Sequence, residues 1–154
     1  MKTTFAAAAL ALFGTTLAVP TPQTTNPNPV SVGNISLKHL IESDGIDFTI
    51  DVTERLADGT PMTTVTCHTY WNTGGPYPSQ TSPIYCPDRI HSFWFPQGVP
   101  NTENFELAVR GPGGDASGQI ASGPKYQCGP YEGDIGNIDT ECKSTQGGEF
   151  YLSV

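Results

Sequence analysis

Polar and apolar residues alternate without a break through Ile46-Asp47-Phe48-Thr49-Ile50-Asp51-Val52-Thr53. A period of two puts one set of side chains on each side of an extended chain, so this segment predicts a half-buried β-strand. Ala57-Asp58-Gly59-Thr60 follows as a turn. The Thr-rich run over residues 62–68 predicts the returning arm of a hairpin, with Val65 and Cys67 facing in. Ile90-His91-Ser92-Phe93-Trp94-Phe95 predicts an aromatic strand stopped by Pro96. Phe93 and Phe95 should fill the core, with Trp94 pointing outward or into a second layer. Residues 105–110 alternate again and end at Gly111-Pro112-Gly113-Gly114. Shorter strands are expected over 117–122, 125–128 and 137–142, and a last one over 149–154 with Phe150, Leu152 and Val154 on one face. Only residues 37–43 hint at a helix, and Gly45 cuts it short. Short strands separated by turns predict an all-β fold, a compact antiparallel β-barrel or sandwich.

Composition qualifies that picture at the N-terminus. Lys2, the apolar run from Phe5 to Phe13 and Thr16-Leu17-Ala18 have the order of a signal peptide over residues 1–18. No later apolar stretch is long enough to cross a membrane as a helix, so the mature chain is expected to be secreted, extracellular and free of membrane insertion. Residues 19–31 are rich in Pro, Thr and Asn and predict a flexible arm, which leaves 32–154 as a single domain. The whole chain carries 15 acidic and 7 basic residues. With no basic patch to meet phosphates, nucleic acid is excluded as a partner. Asn34-Ile35-Ser36 matches the N-glycosylation acceptor pattern.

With 17 Gly and 14 Pro in 154 residues, loops take a large share and the core is limited, so covalent staples are expected. Cys67, Cys86, Cys128 and Cys142 supply them. Four cysteines allow three connectivities, of which the sequence-local one, Cys67 with Cys86 and Cys128 with Cys142, is preferred. Each closed loop would contribute roughly 3 kcal/mol by restricting the unfolded chain.

Val65-Thr66-Cys67, Ile84-Tyr85-Cys86, Phe93-Trp94-Phe95 and Phe105-Glu106-Leu107-Ala108-Val109, in that order, resemble successive strands of the Alternaria major-allergen family. Gly118-Gln119-Ile120-Ala121, Tyr126-Gln127-Cys128, Thr140-Glu141-Cys142 and the terminal run from Glu149 to Val154 continue the match, which begins near Val30. No single motif is specific; the order and spacing of the cysteines among the strands carry the resemblance. It implies a β-barrel from a secreted fungal protein that meets a plant host. The host partner it implies is an extracellular or surface protein, possible members being defence proteins of the thaumatin-like class. It also implies an elicitor of the hypersensitive response. The family's type member has an extra N-terminal cysteine that links two chains. The mature chain here has none before Cys67, which implies a monomer without an interchain bridge.

No constellation in the sequence points to catalysis. His39, His68 and His91 lack metal-ligand spacing, although strands could bring His68 and His91 together. Asp47 and Asp51 fall on the polar face of the first strand and are expected to be solvated; Asp88-Arg89 is expected to form a local ion pair. Gly111-Pro112-Gly113-Gly114 precedes no helix and reads as a turn, not a phosphate loop. The reading is therefore a non-enzymatic protein with no cofactor or metal. The segment that invites a binding role is the aromatic loop Tyr70-Trp71-Asn72-Thr73-Gly74-Gly75-Pro76-Tyr77-Pro78, which presents Tyr70, Trp71 and Tyr77 between Cys67 and Cys86. Its aromatics either fold back to cap the domain or anchor a partner. The alternative function is a secreted carbohydrate-binding or carbohydrate-active protein using the same loop.

Overall fold

A computed structural model describes residues 29–133 and 136–154. The signal peptide expected over 1–18, and all of the expected arm before Pro29, lie outside these residues. The described chain forms ten strands: β1 (Val30–Leu40), β2 (Gly45–Arg55), β3 (Pro61–Asn72), β4 (Ile84–Tyr85), β5 (Ser92–Trp94), β6 (Asn104–Gly111), β7 (Gly114–Ala121), β8 (Tyr126–Pro130), β9 (Ile138–Ser144) and β10 (Phe150–Leu152).

They make two antiparallel sheets. The larger runs β3-β2-β1-β9-β8, with β10 also paired to β1; the smaller runs β4-β5-β6-β7. Neither sheet closes on itself, so of the two expected architectures the sandwich is the one adopted.

The alternation read in β2 has the expected consequence. Ile46, Phe48, Ile50 and Val52 are buried in one core with Phe93, Phe105, Leu107 and Val109 of the smaller sheet and with Phe95 just after β5. Phe48 sits at the centre, with ring centroids 5.5 Å from Phe93, 5.1 Å from Phe95 and 6.1 Å from Phe105. The contacts with Phe95 and Phe105 are edge-to-face, and packing of this kind adds about 1 kcal/mol per pair beyond area burial. The hairpin of β2 with β3 pairs Ile50 with Cys67 and Val52 with Val65, placing Cys67 in the core and Val65 against it. Trp94 lies on the other face of β5, yet it is also buried, under the Arg110 guanidinium 5.3 Å from its ring. Asp115 holds that guanidinium through two bonds of 2.6 and 2.8 Å. The second-layer placement of Trp94 is the one realised.

Two expectations are corrected. Residues 37–40 are not helical; they complete β1, which is hydrogen-bonded to β2 on one side and to β9 and β10 on the other. Val30 and Ser31 belong to that strand and are buried, so the ordered domain begins before residue 32. A bulge explains why the period was hard to read. The β1–β2 ladder is interrupted between Gly33 and Ser36, and the inward positions change phase from Val30 and Val32 to Ile35 and Leu37.

Both expected disulfides form. Cys67–Cys86 joins the edge strand β3 to the segment between β4 and β5, and Cys128–Cys142 joins directly opposed residues of β8 and β9.

Candidate functional site

The expected aromatic loop is half strand. β3 continues through Tyr70, Trp71 and Asn72, so strand alternation sends Tyr70 and Trp71 to opposite faces. Trp71 turns inward, its ring 5.3 Å from Phe95 and 6.4 Å from Phe48. Tyr70 points out, donates to Asn72 Oδ1 at 2.7 Å and lies over Gly45, where a Cβ would overlap its ring. The loop itself starts at Thr73, whose N–H donates to Asp44 O, and Gly75 N–H donates back to Asn72 O at 2.9 Å. Pro78 is buried and its carbonyl accepts from Phe95 N–H at 2.9 Å, which returns the chain to the smaller sheet.

This route leaves a groove of about 540 Å3 at the Trp71 end of the sandwich. Trp71 is half-buried in it and Tyr77 is 41% exposed at its rim. Gln97, Thr73 and His39 add polar groups, and Val99 adds an apolar one. Gly98 is required: its φ is +72°, and a Cβ there would come within 3.1 Å of the Tyr77 ring. The structure thus brings Trp71 and Tyr77 together and sends Tyr70 elsewhere. Gln97 was not anticipated. Its position just after Pro96, in the turn following the aromatic strand, was the available signal.

The histidines are not brought together. His68 lies on the outer face of β3, with Nε2 2.9 Å from Asp47 Oδ2, and His39 lies 3.4 Å from Asp44 and 3.7 Å from Asp139. Asp47 and Asp51 are half-buried and engaged, not simply solvated: Asp51 accepts from Thr66 Oγ1 at 2.6 Å and from Asn34 Nδ2 at 2.6 Å. Among the described residues no three His, Cys, Asp or Glu side chains are grouped to hold a metal ion.

His91 is the buried histidine, and it joins the sheets. Its Nδ1 is 2.5 Å from Asp88 Oδ2, and its Nε2 faces Glu54 Oε1 of β2 at 3.3 Å without hydrogen-bond alignment. Glu54 is itself buried. A Cβ on Gly111 would come within 3.0 Å of the imidazole and 3.1 Å of the Glu54 carboxylate, so the backbone of the β6–β7 turn closes over the pair. The expected Asp88–Arg89 ion pair gives way to this arrangement. Asp88 Oδ1 accepts from the N–H groups of Ile90 and His91 at 3.1 Å each, while Arg89 takes a φ of +58° to make the turn. Burial works to raise the Asp88 pKa, but the His91 ring and these two N–H groups outweigh it and hold the carboxyl below its ordinary value. The signal for this turn was Asp88-x-x-His91 preceding a strand, a spacing at which an aspartate caps the turn of its own chain.

A second polar network lies at the same end of β2, on Arg55, the residue after Glu54. Glu149 is paired to Arg55 and accepts from Ser31 Oγ at 2.8 Å. Burial acts to raise its pKa, and the bonds from Arg55 and Ser31 overcome that and lower it. Beside it, a groove of about 360 Å3 is lined by Gly33, Asn34, Asp51, Thr53, Thr64 and the Gly147–Gly148 turn.

Among the described residues no helix is long and apolar enough to cross a membrane. Comparison with known protein families, with curated proteins and with solved structures finds no match. The class that fold and bridges define is a disulfide-stapled, antiparallel β-sandwich.

Proposed function

We propose that this is a secreted fungal elicitor or effector that acts by contact with extracellular plant proteins and performs no catalysis. The observation that carries the reading is the groove at Trp71. An indole and a phenol are held at the surface, within the stretch closed by the Cys67–Cys86 bridge, in a chain whose cysteines are all oxidised. Large aromatics with one wet edge, fixed by a rigid frame, are suited to anchoring a protein partner at low entropic cost. The oxidised cysteines fit an extracellular setting, and the family resemblance supplies the plant host. Infiltration of purified protein into leaves tests the reading: cell death and an oxidative burst are expected, weakened by Trp71→Ala together with Tyr77→Ala. Absence of both responses, while a known elicitor produces them, removes the elicitor role. Pull-down from apoplastic fluid should recover a host protein with the native chain and lose it with the double variant.

A second reading, sugar binding, is favoured by one observation: Trp71 and Tyr77 share the groove with the Gln97 amide and the Thr73 hydroxyl. Flat rings beside hydrogen-bonding groups match the two faces of a pyranose. Saturable glycan-array binding lost in Trp71→Ala, with no protein captured from apoplastic fluid, would favour it over the elicitor reading.

A further inference from the structure

The acceptor Asn34-Ile35-Ser36 occurs once in the chain, and the fold displays it. Ladder pairing of β1 with β2 stops at Gly33 opposite Asp51 and resumes at Ser36 opposite Thr49, so Asn34 sits in the bulge. It is exposed, with φ +45°. Asparagine is among the few residues that take this conformation readily. Next to its side chain lies the groove of about 360 Å3, whose walls carry the Asp51 and Glu149 carboxylates and the Thr53 and Thr64 hydroxyls, which are 2.9 Å apart and bonded to each other. Gly33 and Gly148 line it as well.

We propose that Asn34 carries an N-linked glycan whose first sugar is seated in this polar groove. The inference rests on the reading of the chain as secreted. The donor is a lipid-pyrophosphate-linked oligosaccharide. A bond forms from Asn34 Nδ2 to the anomeric carbon, the bond from that carbon to the pyrophosphate oxygen breaks, the lipid pyrophosphate leaves, and one amide proton is released. The substituted amide keeps one N–H. That N–H suffices for the 2.6 Å bond to Asp51, so the modification leaves the native contact of Asn34 in place. The hydroxyls and carboxylates around the groove then meet the hydroxyls of the sugar. Asp51 lies five positions along β2 from Ile46, which pairs with Trp71, so roughly 17 Å separates the glycan from the aromatic groove. The first sugar at Asn34 therefore lies clear of the recognition groove.

The full chain is expressed in a yeast secretory host, once with its own leader and once with a host leader in its place. Secreted protein should lose the mass of one glycan on treatment with a peptide N-glycosidase. Asn34→Gln and Ser36→Ala should show no such loss, and Ser36→Ala retains Asn34 and its bond to Asp51. Unglycosylated protein secreted behind the host leader, or a glycan that persists in Ser36→Ala, overturns the proposal. Failure of the native leader alone would count against the secretion reading and leave the host-leader arm to decide the glycan. Seating is read by hydrogen exchange after trimming to one sugar: the amides of residues 147–149 should exchange more slowly than in Ser36→Ala, and equal rates overturn it.

Discussion

The two disulfides close loops of similar length but sit in unlike surroundings. Cys67 and Cys86 are 19 residues apart, and Cys128 and Cys142 are 14 apart. By chain entropy alone the two bridges contribute nearly the same, about 3 kcal/mol each. The second joins strands that are already laddered from Tyr126 opposite Ser144 to Pro130 opposite Thr140. The first spans two sheets. Beyond Asn72, where the β2–β3 ladder ends, the segment it encloses is held by the short β4 contact, the Ser79–Ser82 bridge and a few loop bonds. The difference teaches that a bridge's contribution to stability depends on loop length, whereas its contribution to shape depends on what else holds the loop.

The largest effect should follow from Cys67→Ser with Cys86→Ser. Loss of about 3 kcal/mol is expected in denaturant unfolding, accompanied by loss of protection across residues 73–85 and of ligand binding at Trp71. Cys128→Ser with Cys142→Ser should lose about 3 kcal/mol and leave both the β8–β9 ladder and the Trp71 groove intact. Equal hydrogen exchange over 73–85 in the two double variants would break the comparison.

A smaller effect should come from the clasp beside Cys86. His91→Ala leaves the buried Glu54 carboxylate facing an empty space, and about 2 kcal/mol should be lost. The same turn sets an acid response. Asp88 and Glu149 have pKa values lowered from 3.8 and 4.5, so the stability they contribute is present above those values and is lost as pH falls through the lower folded ones. Unfolding midpoints should fall as pH drops below about 4.5. Asp88→Asn should flatten one part of that fall, and Glu149→Gln another. The smallest effect belongs to Arg110→Ala, which removes an exposed ion pair and the cover over Trp94; the drop in the thermal unfolding midpoint should be smaller than that of His91→Ala.

The sandwich was legible where a strand has one wet face and one dry face without interruption, as in β2 and β6. It was hidden in β1. There the bulge at Asn34 shifts the inward phase by one residue, and the Leu37–Leu40 spacing then imitates a helical turn. Pairing on both sides of β1 overrides that local signal. The cysteine pairing followed from spacing because each partner closes a short loop. The groove was half legible. Trp71 and Tyr77 could be named, but which of Tyr70 and Trp71 turned inward depended on how far β3 ran before Thr73. The Asp88–His91–Glu54 contact was out of reach of local reading, since Glu54 comes from another sheet 34 positions earlier than Asp88.

The rings of Tyr126, Phe105, Phe95 and Trp71 lie in a continuous series, with successive centroids 6.1, 5.7 and 5.3 Å apart. The chain therefore carries its own optical reporter. Light absorbed by the buried phenol at one end can pass to the indole at the other, whose edge meets solvent. Trp94, sealed beneath Arg110, serves as the internal reference. A soluble quencher should dim Trp71 and spare Trp94, and any molecule entering the groove should reverse that dimming without a label being attached.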